Sequence, residues 1–365
     1  MKKIIVSTSL FFLSLIAFWS CKTDFSVNGS YKITPIVYGL LDQNDSIHYI
    51  RITKTFLGDG NALDFAKVAD SSYFTKVAAK ITEVIGGSVT RSWILRDTIL
   101  HNKDVNGAFF APDQKLYYFV TGLDATHRLQ DGATYNLEAI LNDGAYKVTG
   151  STQLVTGVSF TPPANFSFYN ESSSSPYKNP DITWNLGDGQ TYNVKLNFHY
   201  NEIIGGVTTD KNIPWNLKDA SRDDLSGSIG TTSAPGKEFY DLVSSSVSSA
   251  SVDKRVPSYF EIVVTAGAKD LETYILANKP SSSLAQSKPS FTNIDGGIGI
   301  FSARTVVRKT MLCVDLIIPC NKRALDQKST KFLCTGAITG TLGFCSNNPQ
   351  DGGTCGQPIQ SFYCN

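Results

Sequence analysis

"QTYNVKLNFHYNE", residues 190–202, alternates without a break. Tyr192, Val194, Leu196, Phe198 and Tyr200 fall on one face, and Asn193, Lys195, Asn197, His199 and Asn201 on the other. Successive side chains of a strand point to opposite sides of the pleat, so this pattern specifies a strand with one buried face. Gly205-Gly206 follows as a hairpin turn, and "TEVIGGSVT", residues 82–90, places Gly86-Gly87 in the same setting. Glycine suits such turns because they require positive φ.

The alternation continues on both sides. In "DSIHYIRITKTF", residues 45–56, Ile50, Ile52 and Phe56 point one way while Tyr49, Arg51, Thr53 and Thr55 point the other. In "ATYNLEAILNDGAYKVTG", residues 133–150, Tyr135, Leu137 and Leu141 precede an Asn142-Asp143-Gly144 turn, with Tyr146 and Val148 beyond it. Apolar residues spaced by three and four predict short helices in "KEFYDLVSSS" (237–246) and "KDLETYILAN" (269–278), with "YFEIVV" (259–264) as a strand between them. Pro, Ser and Asn without a sustained period, from Phe160 to Pro180, mark a boundary. The fold class is therefore mostly β: tandem, immunoglobulin-like β-sandwiches at 30–155 and 181–310, joined by a linker at 156–180. A cysteine-rich tail at 311–365 follows.

The first twenty residues read differently. Met1, Lys2 and Lys3 supply a positive end, and Ile4 to Trp19 is almost wholly apolar, too short for a comfortable membrane span. Small residues before an ordinary cleavage site are missing at Phe18. The stretch fits a lipoprotein signal peptide at 1–20 and a tether at 21–29, with Cys21 as the new N-terminus carrying acyl chains. Several such chains hold a protein on a membrane, each methylene contributing about 0.8 kcal/mol.

The remaining cysteines, Cys313, Cys320, Cys334, Cys345, Cys355 and Cys364, crowd the tail. In an exported chain an even count reads as up to three disulfides; the pairing stays open. Zinc would want closer pairs and a histidine, which the tail lacks. Without residues 1–20 and their two lysines the chain has 31 basic and 32 acidic residues, so a polyanion such as nucleic acid is not the expected partner.

Catalytic patterns are sparse. His48, His101, His127 and His199 are scattered and read as exposed, and no Gly-x-Ser-x-Gly elbow occurs. Asp42 with Asp45, Asp59 with Asp64, and Asp223 with Asp224 read as turn residues. Trp93 and Trp184 read as core, whereas Trp215, after Pro214, reads as an exposed loop platform that could stack on a glycan. No cofactor or metal and no enzymatic activity are expected.

The lipobox, "VYGLLDQNDSIHYIRITKTFLGDGNAL" (37–63), "DLETYILAN" and "FTNIDGGIGIFSAR" (291–304) resemble uncharacterised Bacteroidota outer-membrane lipoproteins of the domain-of-unknown-function 4249 family, over about residues 21–305. The matching motif is Asn293, Ile294, Gly296, Gly297, Gly299 and Phe301; the cysteine tail departs from the family pattern. The resemblance implies an outer-membrane location, β-rich architecture and association with TonB-dependent transport. It supplies no catalytic residues. Read physically, the motif needs no ligand, because its glycines suit a bulge or a tight backbone approach.

These residues predict a lipid-anchored, non-catalytic module that partners an outer-membrane transporter, with surface glycan or nutrient capture as the alternative. Cys21→Ala should abolish acyl labelling in cells and release the protein from membranes. Undiminished labelling would remove the anchor assignment.

Overall fold

The computed structural model describes residues 32–56, 61–248, 251–279, 290–310, 324–348, 351 and 360–364. The chain is mostly β, 46% strand against 14% helix, so sheets rather than helices close its core. The first half supplies β1 (Pro35–Leu41), β2 (Ile47–Lys54), β3 (Val77–Ile85), β4 (Ser88–Ile94), β5 (Arg96–Leu100), β6 (Gln114–Val120), β7 (Thr134–Leu141) and β8 (Tyr146–Gln153). The second supplies β9 (Asp181–Asn185), β10 (Thr191–Ile204), β11 (Val207–Ser221), β12 (Ile229–Ser233), β13 (Lys254–Gly267), β14 (Ile294–Asp295) and β15 (Ile298–Thr310). The described residues also form five helices: α1 (Ala62–Ala66), α2 (Ala69–Ser72), α3 (Gly236–Ser246), α4 (Lys269–Asn278) and, after the last strand, α5 (Gln327–Thr335).

The alternating stretch of residues 190–202 lies in β10, and its five apolar members are all buried. The predicted turns form as read: Gly86, Gly87, Gly205 and Gly206 all take positive φ, as do Asn142, Asp143 and Gly144. Both predicted helices form, as α3 and α4, and the strand between them is β13.

Sequence order and sheet order diverge. One eight-stranded sheet runs β11-β10-β13-β15-β1-β2-β6-β5, and a five-stranded sheet runs β14-β8-β7-β3-β4. The proposed segments 30–155 and 181–310 therefore share a sheet. β15 makes the join: Ile298–Ala303 pair in parallel with β1, and Arg304–Thr310 pair antiparallel with β13. The segment read as a linker at 156–180 is packed as well, with Phe160, Phe166 and Phe168 buried. Phe168 stacks on Phe239 of α3 at 4.5 Å.

The glycine motif begins this join. A Cβ at Gly299 would overlap the carbonyl of Val37 in β1, and one at Gly296 would overlap the carbonyl of Lys147 in β8. Both residues have positive φ, +118° and +75°, which side chains rarely adopt. Phe301, fully buried, fits between Gly39 and Gly150. Asn293 clips the turn: its Oδ1 accepts from Phe301 N at 2.9 Å, and its Nδ2 donates to Phe301 O at 2.8 Å and to Asp270 of α4 at 2.7 Å.

The described part of the tail is held by more than its cysteines. Arg255 of β13, 1% exposed, donates to the carbonyls of Leu342 and Ser248 and to Glu202. In α5, Phe332 stacks on Tyr169 at 3.8 Å, and Ser329 Oγ accepts from the amides of Phe168 and Tyr169. Cys345 and Cys364 form a disulfide. Cys334, expected to be bonded, is instead a free thiol on the buried face of α5, where it serves as a small apolar side chain. Cys313, Cys320 and Cys355 lie outside the described residues, as do Cys21, the signal peptide 1–20 and the tether 21–29.

Two glycines isolate the cost of the close backbone approach. Gly299→Ala should lower stability by about 2–4 kcal/mol, through strain plus the overlap with Val37. Gly144→Ala, at φ +96° but with nothing within 4 Å, should lose only about 1 kcal/mol. Equal losses in urea unfolding would mean that the approach to β1 is not the constraint.

Candidate functional site

Outward-facing residues on β1, β2 and β6 include exposed apolar and aromatic side chains, among them Ile47, Tyr49 and Val120. Their placement follows from the same alternation that buries Ile50 and Ile52, since neighbours in a strand must face out. Ile47 lies opposite Val120 and Tyr49 opposite Tyr118, whose rings are 6.2 Å apart. The Arg51 guanidinium sits 4.5 Å over the Tyr38 ring, and Tyr38 meets the Tyr274 hydroxyl of α4 at 3.2 Å. At one corner a cleft of about 590 Å³ is lined by Trp93, Ile94, Arg96, Tyr118 and Val120. Ile94 is 79% exposed, Val120 54%, and Leu123 just beyond it 59%. β5, at the end of the eight-stranded sheet, has no strand partner on its outer side among the described residues.

Tyrosine and arginine over an apolar floor are the composition of binding hot spots: they bury large area at little conformational cost and retain polar ends to orient a partner. An unpaired strand edge beside them adds backbone donors and acceptors. This corner can therefore hold a polypeptide, and its side chains offer no nucleophile with an attendant base.

Behind this face the interior carries titratable groups that composition did not disclose. His48 and His199, expected to be exposed, are buried for different reasons: strand register turns His48 inward beside Phe119, whereas His199 stays on the polar face of β10 and is covered by the Tyr259 ring stacked on it at 4.2 Å. His48 Nε2 meets Thr121 Oγ1 at 3.0 Å, its ring stacks on Phe119 at 4.6 Å, and Nδ1 has no hydrogen-bond partner among the described residues. Burial pulls its pKa down from 6.5 to about 4, against the weaker opposing pull of Asp45. Burial also raises the Asp42 carboxyl, although the Asn44 amide works against it. Glu83, 1% exposed, is desolvated too, but hydrogen bonds from Arg91, Thr90 and Tyr135 outweigh that and hold it at about 2. This network joins β3, β4 and β7, and its Arg91 lies 5.0 Å over the ring of Trp93, which lines the corner cleft.

The remaining predicted site residues fall elsewhere. Trp215 is not a loop platform: it lies within β11, half-buried, 6.4 Å from both Phe168 and Phe239. Pro214 beside it is tolerated because β11 is an edge strand, and a strand forms where proline suggested a loop. Asn293, Gly296, Gly297, Gly299 and Phe301 come together, but as the β14–β15 junction. Asp223 and Asp224 occupy a 3-10 turn, where Asp224 caps Ser221 N, and Asp59 lies outside the described residues. Among the described residues no group of three metal-ligating side chains gathers. In comparisons with known proteins, no family model matches the chain and no curated protein matches it.

Acid should destabilise the protein in two stages. His48 has a folded pKa below its unfolded one, so the unfolded chain takes up the proton first, and stability falls between pH 6.5 and about 4. The full loss approaches about 3 kcal/mol, from about 1.4 kcal/mol per pKa unit. Glu83 stabilises above its unfolded value of 4.5 and loses that contribution as pH falls toward about 2. His48→Gln should flatten the upper stage only, read as the urea midpoint against pH; an unchanged slope would remove His48 as its source.

Proposed function

We propose that this chain is a lipid-anchored outer-membrane protein, held by acyl chains on Cys21, that acts as a non-catalytic accessory module on a TonB-dependent transporter. The observation carrying the docking role is the exposed corner formed by Ile47, Tyr49, Tyr118, Val120, Leu123 and Ile94 beside the open edge of β5. Five exposed apolar and aromatic side chains around the half-buried Tyr118 are a standing cost that a partner would relieve, at about 25 cal/mol per Å² buried. The location and the transporter rest on the lipobox and on the resemblance at residues 291–304. No cofactor, metal or nucleic acid enters the proposal.

The alternative, glycan capture, relied on Trp215 as an open stacking platform. That indole is engaged with Phe168 and Phe239, so the reading has no aromatic platform of its own in β11.

The test is gentle solubilisation of outer membranes and capture through a C-terminal tag, comparing wild type with Val120→Asp and Ile94→Asp. A stoichiometric TonB-dependent transporter should accompany the wild type and fall by about tenfold in the variants, the equivalent of losing roughly 1.4 kcal/mol. Both variants should stay folded and membrane-bound, since both side chains are exposed. Recovery of the same transporter by the variants would overturn the docking face. Membrane-bound protein that brings no transporter would overturn the accessory role and turn attention to soluble glycans.

A further inference from the structure

A second cleft, of about 670 Å³, opens at the opposite end of the strands that carry the docking face. Its floor is the inner face of the eight-stranded sheet: Ile99 of β5 lies opposite Lys115 of β6, and Asp97 opposite Tyr117. That face is closed at Tyr117, 3% exposed, but open at Ile99, 54% exposed. Tyr73 and Phe74, just past α2, and Phe110 complete an apolar and aromatic wall. The size lies within the range of small-molecule sites, roughly 300–1,000 Å³.

The charges around this wall are unevenly matched. Lys115 Nζ is 3.4 Å from Asp97, and Asp113 is bound by His101 Nδ1 at 2.6 Å. Lys54 and Asp70, which line the same cleft, have no oppositely charged partner among the described residues; Lys54 Nζ instead lies 6.0 Å over the Phe74 ring. A half-buried ammonium and an exposed carboxylate at the edge of a cleft with an aromatic wall, not paired with each other, present complementary charges to a guest bearing both signs. A purely anionic guest would meet Asp70, and a purely cationic one Lys54. We infer that this cleft binds a small zwitterion with an apolar side chain, an α-amino acid or short peptide of the leucine or phenylalanine kind. Lys54 takes the carboxylate, Asp70 the ammonium, and Phe74, Ile99 and Phe110 the side chain. The inference stands apart from the docking face, from which it differs in residues and in ligand.

The experiment is calorimetric titration of the full-length protein in detergent with L-phenylalanine, L-leucine and the dipeptide Phe-Leu. Two phenylalanine analogues accompany them: phenethylamine, which lacks the carboxylate, and 3-phenylpropanoate, which lacks the amine. At least one zwitterion should bind saturably, and phenylalanine about tenfold tighter than either analogue, as one charge-assisted contact would confer. Lys54→Met should bring phenylalanine down to phenethylamine, and Asp70→Asn down to 3-phenylpropanoate, with each variant's melting temperature confirming that it is folded. No saturable heat from any of the three zwitterions would overturn the inference. So would analogues that bind as well as phenylalanine, or folded variants that leave the preference intact.

Discussion

The structure depends on a place where three backbones come closer than side chains permit. At the start of β15, Gly299 lies against the Val37 carbonyl and Gly296 against that of Lys147, so β1, β8 and the β14–β15 turn meet with no Cβ between them. That approach lets β15 run on for thirteen residues, pairing first with β1 and then with β13. Without it the two halves of the chain would have separate sheets. Phe301 then fills the space left by Gly39 and Gly150, and Asn293 supplies the hydrogen bonds that the tight turn leaves open.

Buried charge is paired on both sides of the join. Glu83 accepts from Arg91, Thr90 and Tyr135 where β3, β4 and β7 meet. Arg255 pairs with Glu202 and ties β13 to the carbonyl of Leu342 in the tail. Such groups are costly to desolvate and worse to leave alone; removing one partner typically costs about 3–5 kcal/mol. They fix local geometry, Glu83 within the five-stranded sheet and Arg255 between β13 and the tail, more than they add net stability. The tail is held by Arg255, Ser329 and Phe332 as well as by the Cys345–Cys364 bond, and Cys334 packs as a buried thiol.

A sheet whose inner face is filled by aromatic rings has its other face to dispose of. Over β10, β11 and β13 that face is polar, with Asn193, Asn216 and Asp219 hydrogen-bonded to one another. Over β1, β2 and β6 it is tyrosine, isoleucine and valine, with α4 covering only the Tyr38 end. The difference between the two halves of a single sheet is the physical basis for placing a partner on one of them. The zwitterion cleft arises from the same sheet at its other side, where the inner face of β5 is left open at Ile99.

What the sequence determined by itself was local. Period two in residues 190–202, the glycine and Asn-Asp-Gly turns, and the three- and four-residue spacing of α3 and α4 were all legible, because each depends on neighbours within a few residues. The glycine motif could be read as a close backbone approach, though not what it approached. Only the tertiary structure decided that β15 belongs to both halves, that residues 156–180 are packed, that His48 faces inward and His199 is covered by Tyr259, and that Trp215 is a strand residue. Each of these is set by which strand lies alongside, often more than a hundred residues away, as Val37 is from Gly299. Pairing register and burial are properties of that distant partner, and local periodicity carries no information about it.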